Sequence, residues 1–389
     1  MWDETKITQV LSLNHQTPFY CFDTDIFEER IHKVKERLNS SAKLCFSVKS
    51  NPWLAESASK YADMLEVCSM GELHLCMDSG IPLSKLSVGG VAKTKAECEE
   101  LAGLNPHRIS VESVNQLRLL NSAAEKYNNE LHVLLRLTKG DQFGISKERI
   151  SQILEDKEQY KNICFEGIHY YFGTQKKDPH IAEKELNFLS QTAAELSVKE
   201  IEFGSGAGVP LFADQSEDDL EKYMQDIYKR VDFFAGFDQT VLECGRALTY
   251  DSGIYAVSVV DKKAHYGKEY LIVDGGIHQL SYYGQIGGKP LPNIIKRPIS
   301  KGETKKYIVC GSLCTASDIL ANGVELSEVK IGDRLVFLNT GAYSVTEARS
   351  LFLSRELPAV YLSGGGKNEC VRRQTPTYPL NSSNRKDLQ

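Results

Sequence analysis

Between residues 20 and 260, short apolar runs alternate with longer segments of helical pattern. The runs fall at 43–48, 64–67, 86–88, 108–111, 131–137, 165–171, 200–203 and 240–243. Eight strands with intervening helices predict an α/β chain that closes into a parallel (β/α)8 barrel over residues 20–253. After residue 253 the texture changes to runs at 254–260, 269–273, 306–310 and 334–338, with Gly and Pro between them and few helical patterns. This predicts a second, mostly β domain over 254–362. From Ser363 to Gln389 a glycine triplet and a polar stretch lack any apolar period, so this tail is expected to be mobile.

Composition narrows the class. A chain of 389 residues, 41% hydrophobic, can bury two cores. Its formal net charge of −6 argues against nucleic acid as a partner, because phosphate binding needs concentrated Lys and Arg. The first residues lack a basic start and an apolar core, and no apolar run spans a bilayer, so a cytoplasmic protein without a membrane partner is expected. Ten cysteines without CxxC pairs read as reduced thiols, with no metal site expected.

In such a barrel, chemistry sits at the carboxyl ends of the strands, and reactive residues fall there. Lys49 closes the run Cys45-Phe46-Ser47-Val48 as its first charge. An amine so placed can form a Schiff base with an aldehyde, although a lysine ending a strand is also a common solvated edge. Glu66, His169, Tyr171 and Glu243 end or follow other predicted strands. Gly204-Ser205-Gly206, with Gly208, follows the run 200–203. Its backbone N–H groups suit an anion, and a simple tight turn suits the same glycines.

Further segments follow in a fixed order: Glu66-Val67-Cys68-Ser69-Met70-Gly71-Glu72-Leu73, Gly167 to Gln175, Gly204 to Gly208, Glu243-Cys244-Gly245-Arg246, Cys310 to Asp318, and Gly341-Ala342-Tyr343. With Lys49 they resemble the fold-type III pyridoxal phosphate (PLP) decarboxylases, the family of diaminopimelate and ornithine decarboxylases, over roughly residues 17–362. The resemblance implies an alanine racemase-like fold, in which residues 1–19 join the β domain. It makes Lys49 the covalent amine and sets Glu243 against the pyridine nitrogen, where a carboxylate keeps that nitrogen protonated. Gly204, Ser205, Gly206, Gly245 and Arg246 then hold the phosphate, with Tyr343 donating a hydrogen bond to it, and Arg136 supports the pocket.

Several positions depart from the family pattern. Tyr171 stands where a second histidine usually stacks on the cofactor; its ring keeps a flat face but stays neutral. His169 is left as the residue that could titrate. Thr174 replaces a serine, Glu66 an aspartate, and Cys244 a proline. The resemblance also implies a homodimer with shared active sites, in which Cys314 crosses to the partner's barrel and protonates the product carbon. Thr315 occupies the place of a carboxylate that pairs with the substrate's distal ammonium, with Asp318 three residues on.

An unpaired buried ammonium is costly, so the expected substrate has no free distal amine. The segments 273–280 and 283–290 look most like the antibiotic-biosynthesis branch, which includes a decarboxylase of glutamate tethered to an acyl carrier protein. Carrier proteins are acidic, and Lys289, Lys296, Arg297, Lys301, Lys305 and Lys306 against Glu303 would offer a basic landing surface. A solvated face explains the same charges. The alternatives are decarboxylation of a free amino acid such as diaminopimelate, and a non-catalytic PLP-binding homologue.

Overall fold

A computed structural model describes residues 2–13, 15–38, 42–231 and 236–383, and the chain divides into two compact units. The first strand, β1 (Phe19–Asp23), belongs to the β unit described below. The barrel unit comprises 28–209 and 218–247. Its strands are β2 (Lys43–Ser47), β3 (Met64–Val67), β4 (Leu86–Val88), β5 (Arg108–Val111), β6 (Leu131–Arg136), β7 (Ile163–Tyr171), β8 (Glu200–Gly204) and β9 (Gln239–Cys244). All neighbours pair in parallel, and β9 pairs with β2 to close the ring, with Cys45 opposite Glu243. The expected barrel is therefore present, with each strand within a residue or two of its apolar run.

Short strand-to-helix junctions fix the carboxyl-end face. After β3, Ser69 accepts the Glu72 N–H and starts the helix Met70–Asp78; after β5, Ser113 does the same for the helix Val114–Tyr127. Thr94 and Glu97 form a complete capping box at the helix Lys95–Leu104. Each cap satisfies helix N–H groups that would otherwise be orphaned, so the side chains just before it are held in a defined place. Cys45, Met64 and Val241 pack together as an apolar layer inside the ring.

The β unit comprises 1–27, 210–217 and 248–389. Its further strands are β10 (Gly253–His265), β11 (Lys268–Val273), β12 (Ile294–Arg297), β13 (Thr304–Cys310), β14 (Ile319–Ser327), β15 (Arg334–Phe337), β16 (Ala359–Gly364) and β17 (Lys367–Arg372). They run in the order β14-β13-β11-β10-β1-β16-β17, with β15 joining β10 and β12.

Two expectations need correction. Residues 20–27 do not open the barrel: β1 is buried along its whole length between β10 and β16, as Phe-Tyr-Cys-Phe demands. The polar tail carries a further strand past residue 363. Gly364, Gly365 and Gly366 all have positive φ and turn the chain back, so that β17 pairs with β16 and satisfies its backbone. Residues 384–389 of that tail lie outside the described residues. Among the described residues no helix is long and apolar enough to cross a membrane.

Candidate active site

In the barrel unit, Lys49 lies on the short 3-10 turn that follows β2. Its Nζ is hydrogen-bonded to the Glu66 carboxylate at the end of β3 and lies 3.2 Å from Cys68 Sγ. The Cys68 thiol donates to the other Glu66 oxygen at 2.7 Å. Burial alone would raise the Glu66 carboxyl, but the Lys49 charge and these hydrogen bonds outweigh it and hold it down at about 2. Burial and the Glu66 charge push the Cys68 group up, so it remains a thiol.

Glu243 ends β9 and is 6% exposed. Burial, with the Glu66 charge nearby, pushes its carboxyl up to about 7. Its Oε1 has no hydrogen-bond partner and lies 3.4 Å from His169 Nε2, which has none either. On the other side of the imidazole, Nδ1 is 2.8 Å from Ser110 Oγ. Burial, then the Arg136 guanidinium, lowers His169 to about 4. A buried imidazolium beside an arginine is disfavoured, which favours the neutral ring.

Arg136 ends β6, paired with the buried Glu112 carboxylate, its guanidinium 4.7 Å from the Phe143 ring centroid. Glu112 also accepts the Gly144 N–H, tying the loop after β6 to the arginine. Tyr171 ends β7 beside Gly204, hydrogen-bonded to Thr174. A Cβ on Gly204 would lie 2.6 Å from the Tyr171 ring and 3.0 Å from Glu243 Oε2, so only glycine fits there. Gly206 has φ +62°, and a Cβ there would meet the Gly173 carbonyl. Buried Ser205 follows β8 and is hydrogen-bonded to Cys244, while Gly245 and Arg246 follow β9.

The β unit holds the remaining candidates. Cys314 is exposed on the loop between β13 and β14. The Asp318 carboxylate braces that loop, Oδ2 accepting the Leu313 N–H and Oδ1 the Ile277 N–H, both at 2.8 Å. Asp318 is 3% exposed, and Gly311 and Gly276 leave room for no more than its carboxylate. Both Asp318 oxygens thus accept from backbone N–H groups and hold the loop. Thr315 is half-buried, its hydroxyl 3.1 Å from Ser317 Oγ. Tyr343 takes a left-handed backbone, φ 63°, and its carbonyl accepts from Thr346 and Glu347.

The basic segment 289–306 is also corrected. Lys296 is buried, paired with Asp333 at 3.2 Å and bonded to Ser300 and the Glu328 carbonyl. Arg297 pairs with Glu4, Lys305 with Glu303 and Lys306 with Glu325. Four of its six cations thus stand beside an acid.

Sequence reasoning missed Cys68, Glu112 and Lys93 just beyond strand ends, and Arg108 and Glu202 within the strands. Lys93 is a buried lysine beyond a barrel strand, lowered to about 8 by burial. Its amine is engaged by the carbonyls of Gly90 and Ser110. Glu202 alternates with the buried Ile201 and Phe203 on β8, a pattern that would have turned it inward.

The arrangement fits PLP. The unpartnered Glu243 Oε1 offers a buried acceptor for a protonated pyridine nitrogen, Lys49 offers an amine, Tyr171 a flat ring, and the glycine turn after β8 a backbone approach for phosphate. Residues 19–341 match the sequence model of the pyridoxal-dependent decarboxylases, C-terminal sheet domain, and the chain belongs to this family. It is a PLP-dependent amino-acid decarboxylase.

Similar proteins include the L-glutamyl-[BtrI acyl-carrier protein] decarboxylase of Niallia circulans, 26% identical over 96% of this chain and 94% of that one. The diaminopimelate decarboxylase of Aquifex aeolicus is also 26% identical, over 94% and 91%. Among solved structures, diaminopimelate decarboxylase from M. jannaschi superposes with TM-score 0.85 at 21% identity, covering 98% of this chain and 94% of that one. Equal identity to the first two relatives leaves the branch undivided.

Proposed function

We propose that the chain removes the α-carboxylate of a free amino acid of the diaminopimelate, lysine or ornithine class. Two observations support a free substrate. Diaminopimelate decarboxylases recur among the relatives, matched over most of both chains, and the charges once read as a carrier-protein landing surface are largely paired within the β unit. The tethered glutamyl group is the second reading, favoured by the Niallia relative and by neutral Thr315.

The observation that carries the catalytic reading is the meeting of Lys49, Glu66, His169 and an unpartnered Glu243 oxygen at strand ends of one closed barrel. When bound, PLP supplies the sink for the electron pair released as carbon dioxide leaves. Glu66 holds the Lys49 amine in place, and Glu243 would hold a proton at the pyridine nitrogen, which deepens that sink. Neutral His169 adds no charge to oppose that proton. Arg136 is held at the wall beside His169 by its ion pair with Glu112. Cys314, from a second copy of the chain, would return a proton to the former α-carbon, the Asp318-braced loop setting its position.

The test is carbon dioxide release from diaminopimelate, lysine, ornithine and a glutamyl-loaded carrier protein, in parallel. Turnover of the carrier alone would reverse the choice of substrate. Mixing inactive Lys49→Ala with inactive Cys314→Ala should restore up to about a quarter of wild-type activity if subunits exchange, since half the dimers are mixed and each has one intact site.

A further inference from the structure

Cys68 follows β3 and touches both partners of the Lys49–Glu66 ion pair. The Glu66 carboxylate divides its oxygens: Oε2 is hydrogen-bonded to Lys49 Nζ, and Oε1 accepts from the Cys68 thiol at 2.7 Å. The sulfur in turn lies 3.2 Å from Lys49 Nζ, within reach of an N–H donor. These contacts close a ring of amine, acid and thiol. Because a carboxylate is planar, holding one oxygen sets the direction of the other.

The backbone that carries the thiol is itself held. The Cys68 N–H donates to the Glu72 carboxylate at 2.7 Å, and the Glu72 N–H donates to the Ser69 hydroxyl at 3.2 Å, so the start of the helix Met70–Asp78 fixes the residues just before it. Across from Cys68 stand Gly89 and Gly90, beyond β4. A Cβ on Gly89 would lie 3.2 Å from Glu66 Oε1 and 3.6 Å from Cys68 Sγ, and one on Gly90 would lie 2.6 Å from the Cys68 carbonyl oxygen. Glycine at these positions leaves the room that the ring needs. Glu66 is 4% exposed, so removing the thiol takes the donor from a buried oxygen.

We infer that Cys68 is a positioning residue for Lys49: its thiol pins Glu66 Oε1, so that Oε2 stays on the amine that is to meet the cofactor's aldehyde. The role suits a glutamate at this place. Glutamate has one more side-chain torsion to fix than aspartate, and a second contact on its carboxylate removes that freedom. Burial, first, and the Glu66 charge keep Cys68 a neutral thiol, which donates rather than attacks. No bond breaks and no proton moves in this role. It rests on Lys49 being the covalent amine, as proposed above.

The test follows pyridoxyl labelling of cofactor-free protein: PLP is added, borohydride follows after set times, and the labelled Lys49 peptide is measured by mass spectrometry. Cys68→Ser keeps a donor, whereas Cys68→Ala, close to serine in size, has none. Cys68→Ala should label Lys49 about tenfold more slowly than wild type, since a misplaced amine reacts slowly. In the PLP-loaded variant kcat should fall by a similar factor, with KM little changed. Cys68→Ser should recover most of both losses, whereas a role in packing alone would leave the two variants alike. Should Cys68→Ala fail to fold, Cys68→Val, also without a donor, takes its place. Labelling by the donor-free variant as fast as wild type, or Cys68→Ser as slow as Cys68→Ala, overturns the inference and leaves the assignment of Lys49 standing. A wild-type label on a different lysine overturns that assignment, and this role with it.

Discussion

Glu243 in the barrel unit and Asp318 in the β unit are both acids with little exposed surface, and their environments differ in kind. Each Asp318 oxygen accepts a backbone N–H at 2.8 Å, and glycines crowd the carboxylate. Glu243 keeps one oxygen without any partner, with a neutral imidazole 3.4 Å away. An unsatisfied buried acceptor costs roughly 1–3 kcal/mol, and such a cost persists where a ligand relieves it. An acid whose two oxygens both accept from backbone holds its own loop together; an acid with an unpartnered oxygen is arranged for something absent from the chain itself.

The strongest way to break this contrast lies at Lys49. Lys49→Ala should abolish turnover, and borohydride should leave no pyridoxyl label on the variant while marking Lys49 in wild type. A label on Lys93 instead would move the site, because Lys93 is a buried amine beyond a barrel strand.

Glu243→Gln should lower kcat by roughly 10²–10³, the range seen when a preorganised electrostatic contact is removed, and leave the thermal midpoint near wild type. Lys296→Glu should destabilise the fold by about 3 kcal/mol, since it sets a second buried carboxylate against Asp333; equilibrium denaturation measures this. Asp318→Asn should do the converse of Glu243→Gln, costing about 2 kcal/mol of stability and lowering activity through the Cys314 loop. If Asp318→Asn leaves stability untouched while Glu243→Gln unfolds the chain, the contrast is reversed.

The smallest effect is in pH dependence. Glu202 binds its proton more tightly folded than unfolded, so its contribution to stability is complete below pH 4.5 and is lost as pH rises through about 8. Glu66 has the opposite sign: its contribution is present above 4.5 and lost as pH falls toward about 2. Thermal melts of cofactor-free protein should show Glu202→Gln removing the alkaline part of the decline and leaving the acid part in place.

Sequence alone determined the barrel. Strands buried on both faces read as apolar runs, and the helices between them keep their own spacing, so a local pattern is enough. It also brought Lys49, Glu66, His169, Tyr171 and Glu243 to strand ends, because those positions follow from counting along each run. What it could not determine is which charges meet.

Lys296 looked like surface until Asp333, distant in sequence, came to lie 3.2 Å away. Asp318 looked available until Leu313 and Ile277 turned their N–H groups onto it. Burial, and with it protonation, is a property of the neighbours that folding supplies. For that reason the tertiary structure, and not the sequence, decided which acids are saturated and which one keeps an oxygen for a cofactor.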